Sequence, residues 1–236
     1  MYLVLLLCMV CQILIAECND FETHATILRH FEYEGFHKEL HSLVELVTTG
    51  QSAFWGSCTL VLKETLPSGL YVNPDQLADL KRIGSVQACT TSNVNVEASE
   101  NYSKPSKVFV YAKLFRTENL IYSHVRLPVH VRYHDPLVDA DYVKVHLKSP
   151  DLYIQCDEEL NLPAKLQVEA PCPVCNDRTC SWFNVSYKTN SPIISLTIPV
   201  GNLNHLCIVT VATYLLTFGG CLYVLAAVVN KVLISQ

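Results

Sequence analysis

The stretch LPVHVRYHDP, residues 127–136, places two histidines, an arginine and an aspartate within ten positions. It is either a metal or catalytic cluster, or a strand with one wet face. In VHVRYH, Val129, Val131 and Tyr133 alternate with His130, Arg132 and His134. A period of two puts the polar three on one side of a sheet. Two histidines two apart on a strand can ligate one metal, but the fixed positive charge of Arg132 between them repels a cation. No carboxylate follows at strand spacing, because Asp135 begins a turn. The stretch therefore reads as a half-buried strand, with His130, Arg132 and His134 facing solvent or a partner.

Working outward, the neighbouring sequence has the same character. CTLVLKETLP (58–67), KVFVYAKLF (107–115), DLYIQC, KLQVEAP, WFNVSYK and IISLTIPV are short runs rich in β-branched and aromatic residues, separated by turn signals. VKVHLKSP (143–150) alternates Val143, Val145 and Leu147 with Lys144, His146 and Lys148. Such spacing predicts a mainly β fold, an antiparallel sandwich-like domain. One short helix interrupts it: Asn73 can cap, Pro74 suits the first helical position, and Gln76 forms a capping-box-like pair with Asn73. In residues 20–50, Leu40, Leu43, Val44 and Val47 recur at helical spacing while Val47-Thr48-Thr49 favours a strand. Both readings stay open there.

The ends of the chain are apolar. Residues 2–15 carry no charge and suit the core of a signal peptide, although a basic start is absent. Cleavage after Cys18 gives a signal over 1–18, with Ala16 as the other position, and an uncleaved anchor is the competing reading. Residues 206–229 are uncharged and would reach roughly 36 Å as a helix, enough for one membrane span. An anchor-attachment signal also ends in an apolar tail, but Asn230, Lys231 and a tail over 230–236 favour a true span. The two ends predict a type I protein whose residues 19–204 lie in the secretory lumen or outside the cell. Asn101-Tyr-Ser and Asn184-Val-Ser are glycosylation sequons in that part.

The chain has 17 basic and 22 acidic residues, a formal charge of −5, and no basic tract, which argues against nucleic acid as a partner. Of its 11 cysteines, Cys58, Cys89, Cys156, Cys172, Cys175 and Cys180 fall in the lumenal part. An oxidising compartment makes these six disulfide candidates, with their pairing open. The C-x-x-C at 172–175 is flanked by Pro171 and Pro173 and followed by Asn176 and Asp177. That is a loop, whereas a redox site wants the motif opening a helix. A zinc site would need a second ligand pair. No nucleophile-elbow, phosphate-loop or zincin signature occurs. Asp157, Glu158 and Glu159 form an acidic cluster. Asp139-Ala-Asp141 has the spacing that sugar-transfer enzymes use for a metal–nucleotide pair, yet reads as a solvated turn. Catalytic residues, a metal and a cofactor are accordingly not expected.

Four segments carry a family resemblance: LPSGLYVNPDQL (66–77), NVNVEASE (93–100), VFVYAKL (108–114) and LPVHVRYHDPL (127–137). In order and spacing they resemble the lumenal domain of the PIG-X family, phosphatidylinositol-glycan biosynthesis class X. EGFHKELHSLVEL (34–46) looks like that family's N-terminal segment, and the single C-terminal span with a tiny tail also matches. The resemblance covers most of the chain from about residue 30. It implies a non-catalytic subunit of the endoplasmic reticulum membrane that binds and stabilises PIG-M. PIG-M is the multi-span enzyme that transfers the first mannose from dolichol-phosphate-mannose to the glycosylphosphatidylinositol (GPI) precursor. No small-molecule substrate of its own is implied.

Within the span, Thr210, Thr213, Thr217 and Gly220 fall on one helical face, where small and hydroxylated residues permit close helix approach. This face is a candidate contact with a partner helix. Two other readings compete with the subunit reading: a cell-surface receptor or adhesion module of sandwich type, and a lumenal enzyme using His130 and His134 or Cys172 and Cys175.

Overall fold

The computed structural model describes residues 23–33, 35–48, 58–117, 120–157, 166–173, 175 and 178–234. The signal-peptide expectation over 1–18, Glu158 and Glu159 of the acidic cluster, and the last residues of the tail lie outside that set.

Among the described residues, two six-stranded sheets and a two-stranded ribbon make up the β structure. The first sheet contains β1 (Thr23–Glu32), β2 (His37–Thr48), β4 (Leu70–Tyr71), β7 (Phe115–Arg116), β8 (Ile121–Val131) and β13 (Tyr187–Lys188). Its path is β13-β1-β2-β8-β4, with β7 also on β8. The second runs β11 (Gln167–Pro171), β12 (Thr179–Asn184), β10 (Asp151–Cys156), β3 (Cys58–Leu66), β6 (Ser106–Lys113) and β5 (Gln87–Thr90). The ribbon pairs β9 (Tyr142–Lys148) with β14 (Ile193–Pro199). Among the described residues, all pairings between these strands are antiparallel except β1 with β13. The mainly β, sandwich-like class is thus the one observed.

The core follows from alternation. Ile27 on β1, Leu40 and Val44 on β2, Val125, Leu127 and Val129 on β8, and Leu60, Leu62 and Leu66 on β3 belong to one buried cluster. Removing such side chains from water is the main stabilising term, at about 1.5–3 kcal/mol for each large one. Val61, between Leu60 and Leu62, points the other way and joins Phe109, Tyr111 and fully buried Trp182 in a second cluster on the outer side of the second sheet. In the ribbon, Val145 and Leu147 are buried while Lys144, His146 and Lys148 are exposed, the alternation that VKVHLKSP predicts. Residues 20–50, open between helix and strand, form the β1–β2 hairpin. Its register runs from Thr23–Thr48 to Glu32–Glu39.

Three disulfides tie the second sheet. Cys58–Cys156 joins β3 to β10, Cys89–Cys175 joins β5 to the loop between β11 and β12, and Cys172–Cys180 closes that loop. All six candidate cysteines are paired, and the C-x-x-C is divided between two bridges. Helix α1 (Pro74–Arg82) starts as expected, with Asn73 Oδ1 accepting from the Asp75 and Gln76 backbone N–H groups. Helix α2 (Leu206–Ile234) closes the described chain. The stretch Leu203–Lys231 is long and apolar enough to cross a membrane, and none of it is buried by the rest of the protein.

Candidate functional site: the covered end of the first sheet and the apolar helix

The polar face read from LPVHVRYHDP is not a wet face. His130 and Arg132 are both buried, whereas Tyr133 is 74% exposed. The strand ends at Val131, so the alternation extends only to that point. The physical reason is a second layer. Helix α1 lies over His130, whose Nε2–H donates to Gln76 Oε1 at 2.8 Å. Gln76 therefore serves β8, a role that a capping-box pair does not predict. The Tyr71 ring stacks on His130 at 5.1 Å, and His37 meets it edge-on at 4.7 Å. Burial, then the charge of His37, holds His130 below the usual imidazole range.

Arg132 is clamped in the same way. Its guanidinium sits over the Tyr71 ring at 4.4 Å and donates to the Ala98 carbonyl, while its backbone N–H bonds Gly69. His134 is half-buried and donates from Nδ1 to the Arg132 carbonyl at 2.9 Å. The turn at Pro67–Leu70 passes close beneath it. A Cβ on Gly69 would stand 2.8 Å from His134 Nε2 and 3.0 Å from Val145, which explains glycine there. His130, Arg132 and His134 thus pin β4, α1 and the 92–104 loop to the end of β8. His130 Nε2, Arg132 Nη1 and His134 Nδ1 are each hydrogen-bonded within the protein. Among the described residues, no group of three His, Cys, Asp or Glu side chains is arranged to hold a metal ion.

A histidine cluster that the sequence did not reveal lies further along the same sheet. Register brings His30 of β1, His41 of β2 and Arg126 of β8 side by side. His41 Nε2 is 2.7 Å from Glu32 Oε2, and His41 Nδ1 is 3.2 Å from His124 Nε2. The His30 ring stacks on His41 at 4.9 Å. Burial, then the charge on His41, lowers the His124 pKa. Only the pairing of β2 with both neighbours assembles this group, so no local motif announces it.

Beside it, a groove of about 610 Å³ opens between β8, β6 and the end of α1, lined by Val110, Lys113, His124, Arg126 and Pro128 among others. β8 pairs with β7 up to Tyr122 and with β4 from His130. Backbone bonds alternate along a strand. Val131 N–H reaches Phe36 on the β2 side and Arg132 N–H reaches Gly69 on the other. His124, Arg126 and Pro128 thus present their backbone to the groove. Proline lacks the N–H that would recruit a further strand, so Pro128 blunts this edge.

The other expected site residues are placed as follows. Asn101 and Asn184 are both exposed, Asn101 on a short 3-10 turn and Asn184 at the end of β12. The carboxylates of Asp139 and Asp141 accept from Asn204 and Asn202, so the D-x-D spacing fastens a turn. Thr210, Thr213, Thr217 and Gly220 are exposed on α2. Thr213 Oγ1 donates to the Val209 carbonyl at 2.7 Å, which satisfies its hydroxyl within the helix. A Cβ on Gly220 would meet nothing within 4 Å, leaving a flat patch for close approach.

A family model described as PIG-X / PBN1 matches residues 33–229. A human protein named "GPI alpha-1,4-mannosyltransferase I, stabilizing subunit" is 31% identical over 217 residues, spanning 90% of this chain and 81% of that protein. Rat and mouse proteins of the same name are each 32% identical over 196 residues, spanning 81% of this chain and 77% and 76% of theirs. No solved structure matches the chain. The matched residues take in every strand from β2 onward and the apolar helix as far as Val229, and the chain belongs to the PIG-X / PBN1 family.

Proposed function

We propose that this chain is the non-catalytic stabilising subunit of GPI mannosyltransferase I. In this reading it sits in the endoplasmic reticulum membrane as a type I protein, with the sandwich in the lumen and α2 as the span. It holds the multi-span catalytic subunit, PIG-M, which adds the first mannose to the GPI precursor. The observation that carries the reading is the 31% identity to the human stabilizing subunit over 90% of the chain. Three disulfides in the β part suit an oxidising lumen. The exposed sequons at Asn101 and Asn184 suit glycosylation on that side. Removal of a signal peptide at 1–18 would complete the topology. The Thr210–Gly220 face of α2 and the exposed rim of the first sheet are the surfaces offered to the enzyme.

Mild-detergent affinity purification of the tagged full chain, with mass spectrometry of what co-purifies, tests this. Near-equal recovery of a multi-span mannosyltransferase supports the reading. Recovery of surface proteins alone, with mature glycans on Asn101 and Asn184, would replace it with a receptor.

A further inference from the structure

The seven residues Pro136–Tyr142 have no part in the site described above, yet they are fastened to the root of α2. Leu137 N–H donates to the Gly201 carbonyl at 2.8 Å, and Leu203 N–H donates back to the Leu137 carbonyl at 2.9 Å. Val200 N–H bonds the Asp141 carbonyl at 2.9 Å. Asn202 Nδ2 reaches Asp141 Oδ1 at 3.0 Å, and Asn204 Nδ2 reaches Asp139 Oδ1. Gly201 passes so close to Pro136 that a Cβ there would lie 3.2 Å from the proline ring. Asp139 holds a left-handed φ of 57°, which makes the loop a tight turn.

The partner segment in this arrangement is the lead-in to the apolar stretch, which begins at Leu203. Leu137 is bonded to that first residue, so the loop stands level with the start of the apolar stretch. A 29-residue helix rises about 43 Å, more than the roughly 30 Å hydrocarbon core, so its ends lie in the headgroup zones. The loop also has the chemistry for that zone. Val138 and Tyr142 are each 63% exposed, and Leu137 and Leu203 are each 38% exposed. Both of the loop's own carboxylates are turned back onto asparagines of the lead-in, away from the apolar tip. Exposed aliphatic side chains with a tyrosine at the margin are what the interface of a bilayer accepts.

We propose that the Pro136–Tyr142 loop seats in the headgroup layer of the leaflet nearest the sandwich, with Val138 deepest. The sandwich then stands on the membrane in one orientation, because loop and helix root form a single hydrogen-bonded unit. The proposal rests on α2 being a membrane span. The orientation fixes which surfaces of the first sheet face along the bilayer toward a membrane-embedded partner.

Tryptophan depth measurement on the full chain in lipid vesicles tests it. Val138→Trp is compared with Val224→Trp inside the helix and Tyr102→Trp on the 3-10 turn. Vesicles carry brominated lipids with the bromines either near the headgroups or deep in the acyl chains. Val138→Trp emission, less that of the parent chain with its own Trp55 and Trp182, is expected to fall by about half with the shallow quencher and little with the deep one. Val224→Trp is expected to be quenched by the deep lipid and Tyr102→Trp by neither. If Val224→Trp is quenched but Val138→Trp behaves like Tyr102→Trp, the span stands and the loop proposal is overturned. A blue-shifted Val138→Trp that no lipid quenches would give the patch to a protein surface and overturn it equally. Absence of quenching at Val224→Trp would overturn the span and the proposal together.

Discussion

Arg29 on β1 reaches across the sandwich and donates to both carboxylate oxygens of Glu64 on β3, at 2.8 and 2.7 Å, with both side chains buried. Its Nη1 also donates to the Lys148 carbonyl at the end of β9, so one guanidinium ties the first sheet to the second sheet and the ribbon. Burial pushes the Glu64 carboxyl up to about 7, against the pull of the Arg29 charge. A buried ion pair stabilises weakly against an apolar replacement, but losing one partner leaves an uncompensated charge. Arg29→Ala or Glu64→Ala should each destabilise the protein by about 3–5 kcal/mol. The joint replacement Arg29→Met with Glu64→Leu should cost far less than the sum. Unfolding of the full chain in detergent, followed by near-ultraviolet circular dichroism, measures the cycle. Additive losses would show that the pair is not coupled.

His130 predicts a pH response. Its folded pKa lies below the ordinary 6.5, because burial opposes the charged ring. A base with a depressed folded pKa contributes stability above its unfolded pKa and loses it as pH falls through the folded value. Stability should therefore decline on acidification below about 6.5, and His130→Gln should remove part of that decline. Glu64 acts in the opposite sense. Its raised pKa gives a contribution present below 4.5 and lost as pH rises through about 7. The comparison that matters is His130→Gln against the parent at each pH, and identical slopes would contradict the prediction.

Disulfide removal should depend on loop length. Cys58–Cys156 closes 98 residues and Cys172–Cys180 closes 8. Chain entropy makes the longer closure worth more by about 2 kcal/mol. The paired replacement Cys58→Ser with Cys156→Ser should lower the unfolding midpoint more than Cys172→Ser with Cys180→Ser. The reverse order would mean that the smaller loop, packed against Trp182 and Tyr111, is the greater stabiliser.

On α2, Thr213→Leu with Thr217→Leu thickens the flat face beside Gly220. If that face meets a partner helix, recovery of the catalytic subunit should fall about five-fold, the effect of roughly 1 kcal/mol. Leu215→Ala with Leu222→Ala, on other faces, should leave recovery unchanged. Full recovery with the threonine double variant would assign the face to lipid.

How far the fold was legible depended on how many sides of each strand are covered. VKVHLKSP reads directly because β9 has one open face, so Lys144, His146 and Lys148 mark it. VHVRYH misleads because α1 and the 92–104 loop roof over its second face, and His130 and Arg132 are satisfied by Gln76, Tyr71 and Ala98 from distant segments. The hairpin at 23–48 was ambiguous because Leu43 lies on the opposite face of β2 from buried Leu40 and Val44, while polar Ser42 takes the buried row between them. The histidine cluster was invisible because His30, His41 and His124 meet only through cross-strand register. The apolar helix, being local, was legible from its start at Leu206, although it runs on to Ile234, beyond the expected end at 229. The partner was not a matter of local pattern at all, and only the family resemblance pointed to it.

In the proposed role this chain sustains a mannosyltransferase without performing the chemistry. The most direct measurement is the steady-state level and half-life of the catalytic subunit in cells depleted of this chain, then resupplied with it. The account predicts that the catalytic subunit falls several-fold on depletion and returns with the full chain. An unchanged level and half-life of the catalytic subunit after complete depletion would contradict it.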